Sequence, residues 1–173
     1  DVSDGPTTGV AFSPEGALVA SAHNDTIVRI WDLSTGSLRA ILRSHTEPVW
    51  AVAFNPDGTI LASGGGDPGT GNDSNIRLWD VNARAQTDLL SGHNGAVTAL
   101  AFSPDGTLLA SGGLDGTVRF WEVATASPGT VLTNHGGPVR DLVFSPDGSE
   151  LISVGDDGNI HIWQFDPGTA SVF

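Results

Sequence analysis

The chain has 173 residues, 39% of them apolar, enough to build a core for one domain or for part of a larger one. Twenty acidic residues face only seven basic ones, all arginine, so the formal net charge is −13; such a surface repels phosphate backbones and anionic membranes, and neither nucleic-acid binding nor membrane insertion is expected. The absence of cysteine excludes disulfides and Cys-ligated zinc or iron–sulfur centres, and no apolar run approaches the ~18 residues of a membrane-spanning helix.

The start, DVSDGPTTG, is polar and does not read as a signal peptide, so the expectation is a chain taken up part-way along a longer, cytoplasmic protein. The first recurring string is FSPEG at Phe12, followed by RIWDL (29–33) and the run SLRAILR (37–43). The second unit repeats the order with FNPDG at Phe54, RLWDV (77–81) and QTDLLS (86–91). In the third, VTALAF (97–102) runs into FSPDG at Phe102; LLASGG (108–113), RFWEV (119–123) and GTVLTN (129–134) follow. The fourth has FSPDG at Phe144 and HIWQF (161–165). The Phe spacings are 42, 48 and 42 and the Trp spacings 48, 42 and 42, so six extra residues lie in the second unit, within SGGGDPGTGNDSN (63–75).

Each unit reads as short strands. VTALAF and LLASGG are buried runs, and TVRFWEV (117–123) alternates with period 2. SPDG carries Pro and Gly at tight-turn positions, and LDGT (114–117) makes the next turn. No segment longer than a few residues has a helical period. The fold class is therefore all-β: four antiparallel four-stranded sheets in units of about 1–43, 44–91, 92–133 and 134–173. One such sheet cannot bury both faces, so neighbouring units must stack.

A Gly-His pair occurs at Gly92-His93 and decays to Ser44-His45 and Asn134-His135. A Trp-Asp pair is exact at Trp31-Asp32 and Trp79-Asp80 and becomes Trp121-Glu122 and Trp163-Gln164. On these motifs the sequence resembles the WD-repeat (WD40) family of β-propellers, over nearly its whole length. The resemblance implies a propeller segment with a hydrogen-bonded His–Ser–Asp–Trp quartet inside each blade. The matching residues are His45, Ser63, Asp73 and Trp79; His93, Ser111, Asp115 and Trp121; and His135, Ser153, Asp157 and Trp163. The first unit has Ser21, Asp25 and Trp31, with Ser3 in the place of the histidine, which predicts a weaker or wetter network there. His, Ser and Asp are also the residue types of a catalytic triad, but catalysis needs one copy; near-identical copies at fixed register point to architecture. A buried carboxylate needs donors, and Trp and His N–H groups supply them. No catalytic residue, cofactor or metal site is expected. His23 and His161 fall outside the quartets.

Rings of this family usually have seven blades. The four repeats here amount to three complete blades and three strands of a fourth, with the last outer strand only beginning at Ala170–Phe173. The expectation is a segment of a longer propeller; the alternative is two copies pairing into an eight-bladed ring. Either the remaining blades of the same chain or a second copy is needed to cover the open blade faces.

The resemblance also implies a binding face around the His and Asp loops, with three positions per blade: Pro6, Thr8 and Asn24; Pro48, Trp50 and Asn72; Ala96, Thr98 and Leu114; Pro138, Arg140 and Asp156. Trp50 and Arg140 break the pattern and are the residue types that dominate interfaces. Asp67, Asn72 and Asp73 lack the spacing of a calcium loop, and GGGDPGTG lacks the Lys of a phosphate loop. The expected function is a non-catalytic platform for protein partners, basic ones being favoured by charge, within a multi-blade or multidomain signalling protein. An assembly role is the alternative.

Overall fold

The glycine of each FxPxG string sets the first turn. Gly16, Gly58, Gly106 and Gly148 all have φ between 70 and 74°, a conformation open to glycine and costly for other residues. The residue two before the proline-following acid closes the turn: Gly106 N–H donates to Ser103 O at 2.9 Å, and the Asp105 carboxylate accepts the Thr107 N–H at 3.0 Å. Successive turns nest, since a Cβ on Gly106 would lie 3.3 Å from Pro56 and one on Gly148 3.4 Å from Pro104.

The computed structural model describes residues 5–166 and 171–172. Among these there is no helix. The strands β1 (Thr7–Phe12), β2 (Leu18–His23), β3 (Ile27–Asp32) and β4 (Ser37–Arg43) form the first antiparallel sheet in that order. The second sheet holds β5 (Val49–Phe54), β6 (Ile60–Gly65), β7 (Ile76–Asp80) and β8 (Ala85–Leu90), and the third β9 (Val97–Phe102), β10 (Leu108–Gly113), β11 (Val118–Glu122) and β12 (Ser127–Leu132). The fourth has three full strands, β13 (Val139–Phe144), β14 (Glu150–Gly155) and β15 (Ile160–Asp166). Among the described residues its outer position carries the two-residue β16 (Ser171–Val172).

The predicted runs 37–43, 97–102 and 108–113 coincide with β4, β9 and β10. The run 129–134 is displaced: β12 starts two residues earlier, at Ser127. Ala126 takes φ 53° and the β11–β12 register slips between Arg119 and Trp121, which places Pro128 opposite Trp121. Proline is tolerated there because β12 is an outer strand whose far side needs no N–H.

The sheets stack through their inner strands, β1 on β5, β5 on β9 and β9 on β13. Each interface has its own apolar cluster. Leu18, Val28, Ile30 and Leu42 of the first sheet meet Val49, Val52 and Trp79 of the second. Ile76, Leu78 and Leu90 meet Val97, Leu109 and Trp121, and Val118 and Phe120 meet Val139, Phe144 and Trp163. The repeat tryptophan is thus the residue that the second, third and fourth sheets each send into the sheet before. Phe144 meets Phe120 edge-on at 6.4 Å.

Among the described residues nothing covers either end face. Val118 and Phe120 are 0% and 3% exposed, whereas Ile160 and Ile162, at the same register in the fourth sheet, are 70% and 57% exposed. On the leading face of the first sheet, Val10 and Phe12 are 66% and 68% exposed, while Phe144 is 9%.

Glycine also governs inter-sheet distance. A Cβ on Gly112 would lie 2.5 Å from Val139 Cγ1, and one on Gly64 2.6 Å from Val97 Cγ1. Gly112→Ala should therefore cost about 1–3 kcal/mol through overpacking, read as a lower urea midpoint. Val139→Ala in the same chain should recover part of that loss, giving a coupling of the two sites in a double-mutant cycle.

Candidate functional site

At the centre of each sheet a serine hydroxyl stands between an indole and an imidazole. Trp31, Trp79, Trp121 and Trp163 donate Nε1–H to Ser21, Ser63, Ser111 and Ser153 at 2.8, 2.8, 2.9 and 2.9 Å. His45, His93 and His135 place Nε2 at 2.8, 2.8 and 2.7 Å from Ser63, Ser111 and Ser153. These three serines are 1% exposed or less.

The first sheet completes the arrangement differently. Ser3 lies outside the described residues. His23, which the repeat register leaves outside the quartet, instead places Nε2 2.8 Å from Ser21 Oγ and is only 4% exposed. His23 occupies the position of Gly65, Gly113 and Gly155 in the other sheets. A Cβ on Gly113 would fall 2.6 Å from His93 Nδ1. A side chain grown from that strand position enters the volume that the loop histidine fills elsewhere.

The carboxylates are met by different donors from blade to blade. Asp115 accepts His93 Nδ1–H at 3.0 Å, Asn94 N–H at 2.8 Å and Thr117 Oγ1–H at 2.8 Å. Asp25 is held by Arg29 through two bonds, the shorter 2.7 Å. In the second sheet Arg77 Nη1 lies 2.8 Å from both Asp73 Oδ1 and His45 Nδ1. A guanidinium only donates, so His45 Nδ1 is the acceptor there and its Nε2–H donates to Ser63. Asp157 accepts Asn159 and Gly136 N–H at 3.0 and 3.1 Å, His135 at 3.1 Å and His161 at 3.2 Å. Burial pushes the Asp73 and Asp115 carboxyls up. The Thr46 and Arg77 donors on one, and His93, Asn94 and Thr117 on the other, outweigh it and hold both well below the usual carboxylate range. Burial, assisted by Arg77, holds His45 below its ordinary value against the pull of Asp73; burial and Arg29 do the same to His23.

At the ends of the strands that carry these loops, the rim positions are drawn together by the backbone. Asn24, Leu114 and Asp156 donate N–H to Pro6, Ala96 and Pro138 O at 3.0, 2.9 and 2.9 Å. In the second sheet Gly66, not Asn72, bonds to Pro48 O, at 2.9 Å. Asn72 closes the stem of the insertion instead, accepting the Asp67 N–H at 2.9 Å. The Asp67 carboxylate caps its own loop through Gly69 and Thr70 N–H. Trp50 is half-buried against this loop and donates Nε1–H to Gly66 O at 2.8 Å. Thr98 donates to Val139 O at 2.6 Å and Thr8 to Val49 O, so these two rim threonines tie neighbouring blades. Arg140 and Asp156 pair with each other, Nε to Oδ1 at 2.7 Å, with about half of each side chain exposed.

The family described as "WD domain, G-beta repeat" (WD40) matches four consecutive stretches, residues 3–32, 36–80, 84–122 and 126–164. The chain is 48% identical over 50 residues to mitochondrial division protein 1 of Malassezia globosa, covering 28% of this chain and 7% of that protein. It is 38% identical over 48 residues to the lissencephaly-1 homolog of Caenorhabditis briggsae, 28% of this chain and 12% of that one. It is 42% identical over 45 residues to nuclear distribution protein PAC1 of Coccidioides posadasii, 26% and 10%. The similarity thus spans about a tenth of the length of these relatives.

Two predictions follow the electrostatics. His23→Gly removes the imidazole from Ser21 and should lower stability by about 1–3 kcal/mol, read by urea denaturation. For pH, His23 and His45 bind a proton less readily folded than unfolded, so their stabilisation is present above about pH 6.5 and is lost as pH falls below it. Asp73 and Asp115 hold theirs above about pH 4 and lose it on further acidification. Urea midpoints should therefore be level from pH 7 to 8, lower at pH 5.5 and lower again at pH 3.5; a midpoint that rises on acidification contradicts this assignment.

Proposed function

The chain belongs to the WD40 family, and on that premise we propose that it is a non-catalytic platform for protein–protein contacts within a larger multi-blade or multidomain signalling protein. One observation carries the proposal. The triad-like residues are sealed inside the sheets, with Ser63 and Ser111 at 0% exposure, while Trp50 and Arg140, two residues that break the repeat, stand at the rim. The relatives' names support it, denoting mitochondrial division and nuclear distribution rather than a reaction. Trp50 offers an indole face held rigid by its bond to Gly66 O, and Arg140 with Asp156 offers a paired polar contact. A rigid aromatic anchor gains affinity because little entropy is lost on binding. The net charge of −13 favours basic partners through steering.

A second reading, assembly, draws on the end faces. Ile160 and Ile162 on one face and Val10 and Phe12 on the other stand at positions that internal blades bury against each other. Further blades of the same protein would cover them, or a second copy would do so in an eight-bladed ring. Sedimentation reads the difference: two-copy closure gives twice the 17.8 kDa chain mass and reverts to monomer in Ile162→Asp.

The platform is tested by probing an array of Lys/Arg-rich peptides with the wild type, Trp50→Ala and Arg140→Ala. Peptides retained by the wild type should lose about ten-fold or more in affinity with either variant, while the urea midpoint of Arg140→Ala stays within about 0.5 kcal/mol of wild type. Equal retention by all three proteins, or retention only of acidic peptides, contradicts the proposal.

A further inference from the structure

Two residues before each repeat tryptophan stand Arg29, Arg77 and Arg119 in the first three blades and His161 in the fourth. In the second blade this position delivers a cation: Arg77 Nη1 touches His45 Nδ1 and Asp73 Oδ1 at 2.8 Å each. The space between a quartet histidine's Nδ1 and the quartet carboxylate is therefore one where a positive group sits. The fourth blade replaces the cation with a third ligand. His161 Nε2 lies 3.2 Å from Asp157 Oδ2, and His135 Nδ1 lies 3.1 Å from the same oxygen. The three atoms all fall within 4.8 Å of one another.

We propose that His135 Nδ1, Asp157 Oδ2 and His161 Nε2 bind a divalent transition-metal ion of the zinc class. Two imidazoles and one carboxylate are a borderline donor set, suited to zinc and its neighbours rather than to calcium or magnesium, which take oxygen ligands. An ion with bonds of about 2.0–2.1 Å in tetrahedral geometry spaces its ligands roughly 3.3–3.4 Å apart, so the observed 3.1 and 3.2 Å edges need to open by only a few tenths of an ångström.

The surroundings fix the ligands. His135 Nε2 rests on Ser153 Oγ at 2.7 Å, and the second blade shows that this hydroxyl position can receive both an indole N–H and an imidazole Nε2–H, which frees Nδ1 as a ligand. Asn159 and Gly136 N–H orient the Asp157 carboxylate. His161 stacks on Trp163 at 5.4 Å with an interplanar angle of 11°, which sets its ring plane. Gly155 carries no Cβ, and one built there would lie 2.9 Å from His135 Nδ1. The His161 side chain is 23% exposed and the His135 side chain 1%, so an ion enters past His161, and three protein ligands leave a further position for water. Such partners on the ligands are what tunes a metal site.

The competing account is that His161 only donates a hydrogen bond to Asp157, as Arg29 does to Asp25. Titration of the 173-residue chain with cobalt(II) and zinc(II) separates the two. The expected result is one ion per chain, with the visible absorption of four-coordinate cobalt, displaced by zinc, and a higher thermal midpoint with zinc. His161→Arg restores the residue of the other three blades; it should fold and bind cobalt more than about 100-fold more weakly, beyond what second-shell losses cost. His161→Gln serves as the second variant if the arginine disturbs folding. Absence of the cobalt band in the wild type, or equal affinity in His161→Arg and His161→Gln, overturns the proposal.

Discussion

A hydroxyl oxygen buried at the middle of a sheet must be satisfied from both sides, or its desolvation costs the fold about 1–3 kcal/mol. In every blade that oxygen belongs to a serine on the second strand, and its indole partner comes from the third. In the second, third and fourth blades the indole that donates to the serine also fills the cluster between its own sheet and the one before. Polar satisfaction and apolar stacking are thus one constraint. A tryptophan that leaves the serine also leaves the inter-blade core, and such a loss is on the order of 3–5 kcal/mol. The imidazole adds the loop before the first strand to the same point, and the aspartate ties in the turn before the third strand.

Because the constraint is a donor or acceptor at a place rather than a residue at a column, the blades meet it by different routes. The first supplies its imidazole from the second strand at His23 instead of from the loop. The carboxylate is balanced by Arg29 in the first blade and by Arg77 with the Thr46 N–H in the second. In the third, His93 and three other donors suffice, and Arg119 turns its Nε to Thr117 Oγ1 at 3.3 Å. In the fourth, two imidazoles converge. The protonation pattern follows: His93 must donate from Nδ1 to a carboxylate, whereas His45 must accept at Nδ1 from a guanidinium.

This explains what could be seen in the sequence and what could not. Strand order and turn positions are legible because they recur at a fixed period, the quartets through the resemblance to the WD-repeat family, and the runs 37–43, 97–102 and 108–113 match strands residue for residue. The outer strand of the third blade was misplaced by two residues because only a positive φ at Ala126 reveals where it begins. His23 and His161 were passed over for the opposite reason. Each is a departure from the repeat at a single column, and a departure looks like noise until the side chains are placed. The signal was nonetheless present: a histidine in a glycine column next to a missing histidine, and a histidine in an arginine column. Trp50 was visible as an anomaly, but its bond to Gly66 O depends on how the insertion folds back, which no spacing encodes.

The acidity and the rim act over different distances. Asp57, Asp105 and Asp147 sit in the first turn of their blades, at the opposite strand ends from the quartet loops. Their oxygens are occupied by their own turn N–H and hydroxyl groups, but no cation neutralises them, and Asp57 and Asp105 with Glu122 line a cleft of about 510 Å3 between the second and third blades. A six-residue strand spans about 20 Å, against a screening length of about 8 Å at physiological salt. These charges therefore act mainly on their own face. They add little to the field at Trp50 or Arg140, where the nearest carboxylate is that of Asp156 on Arg140 itself.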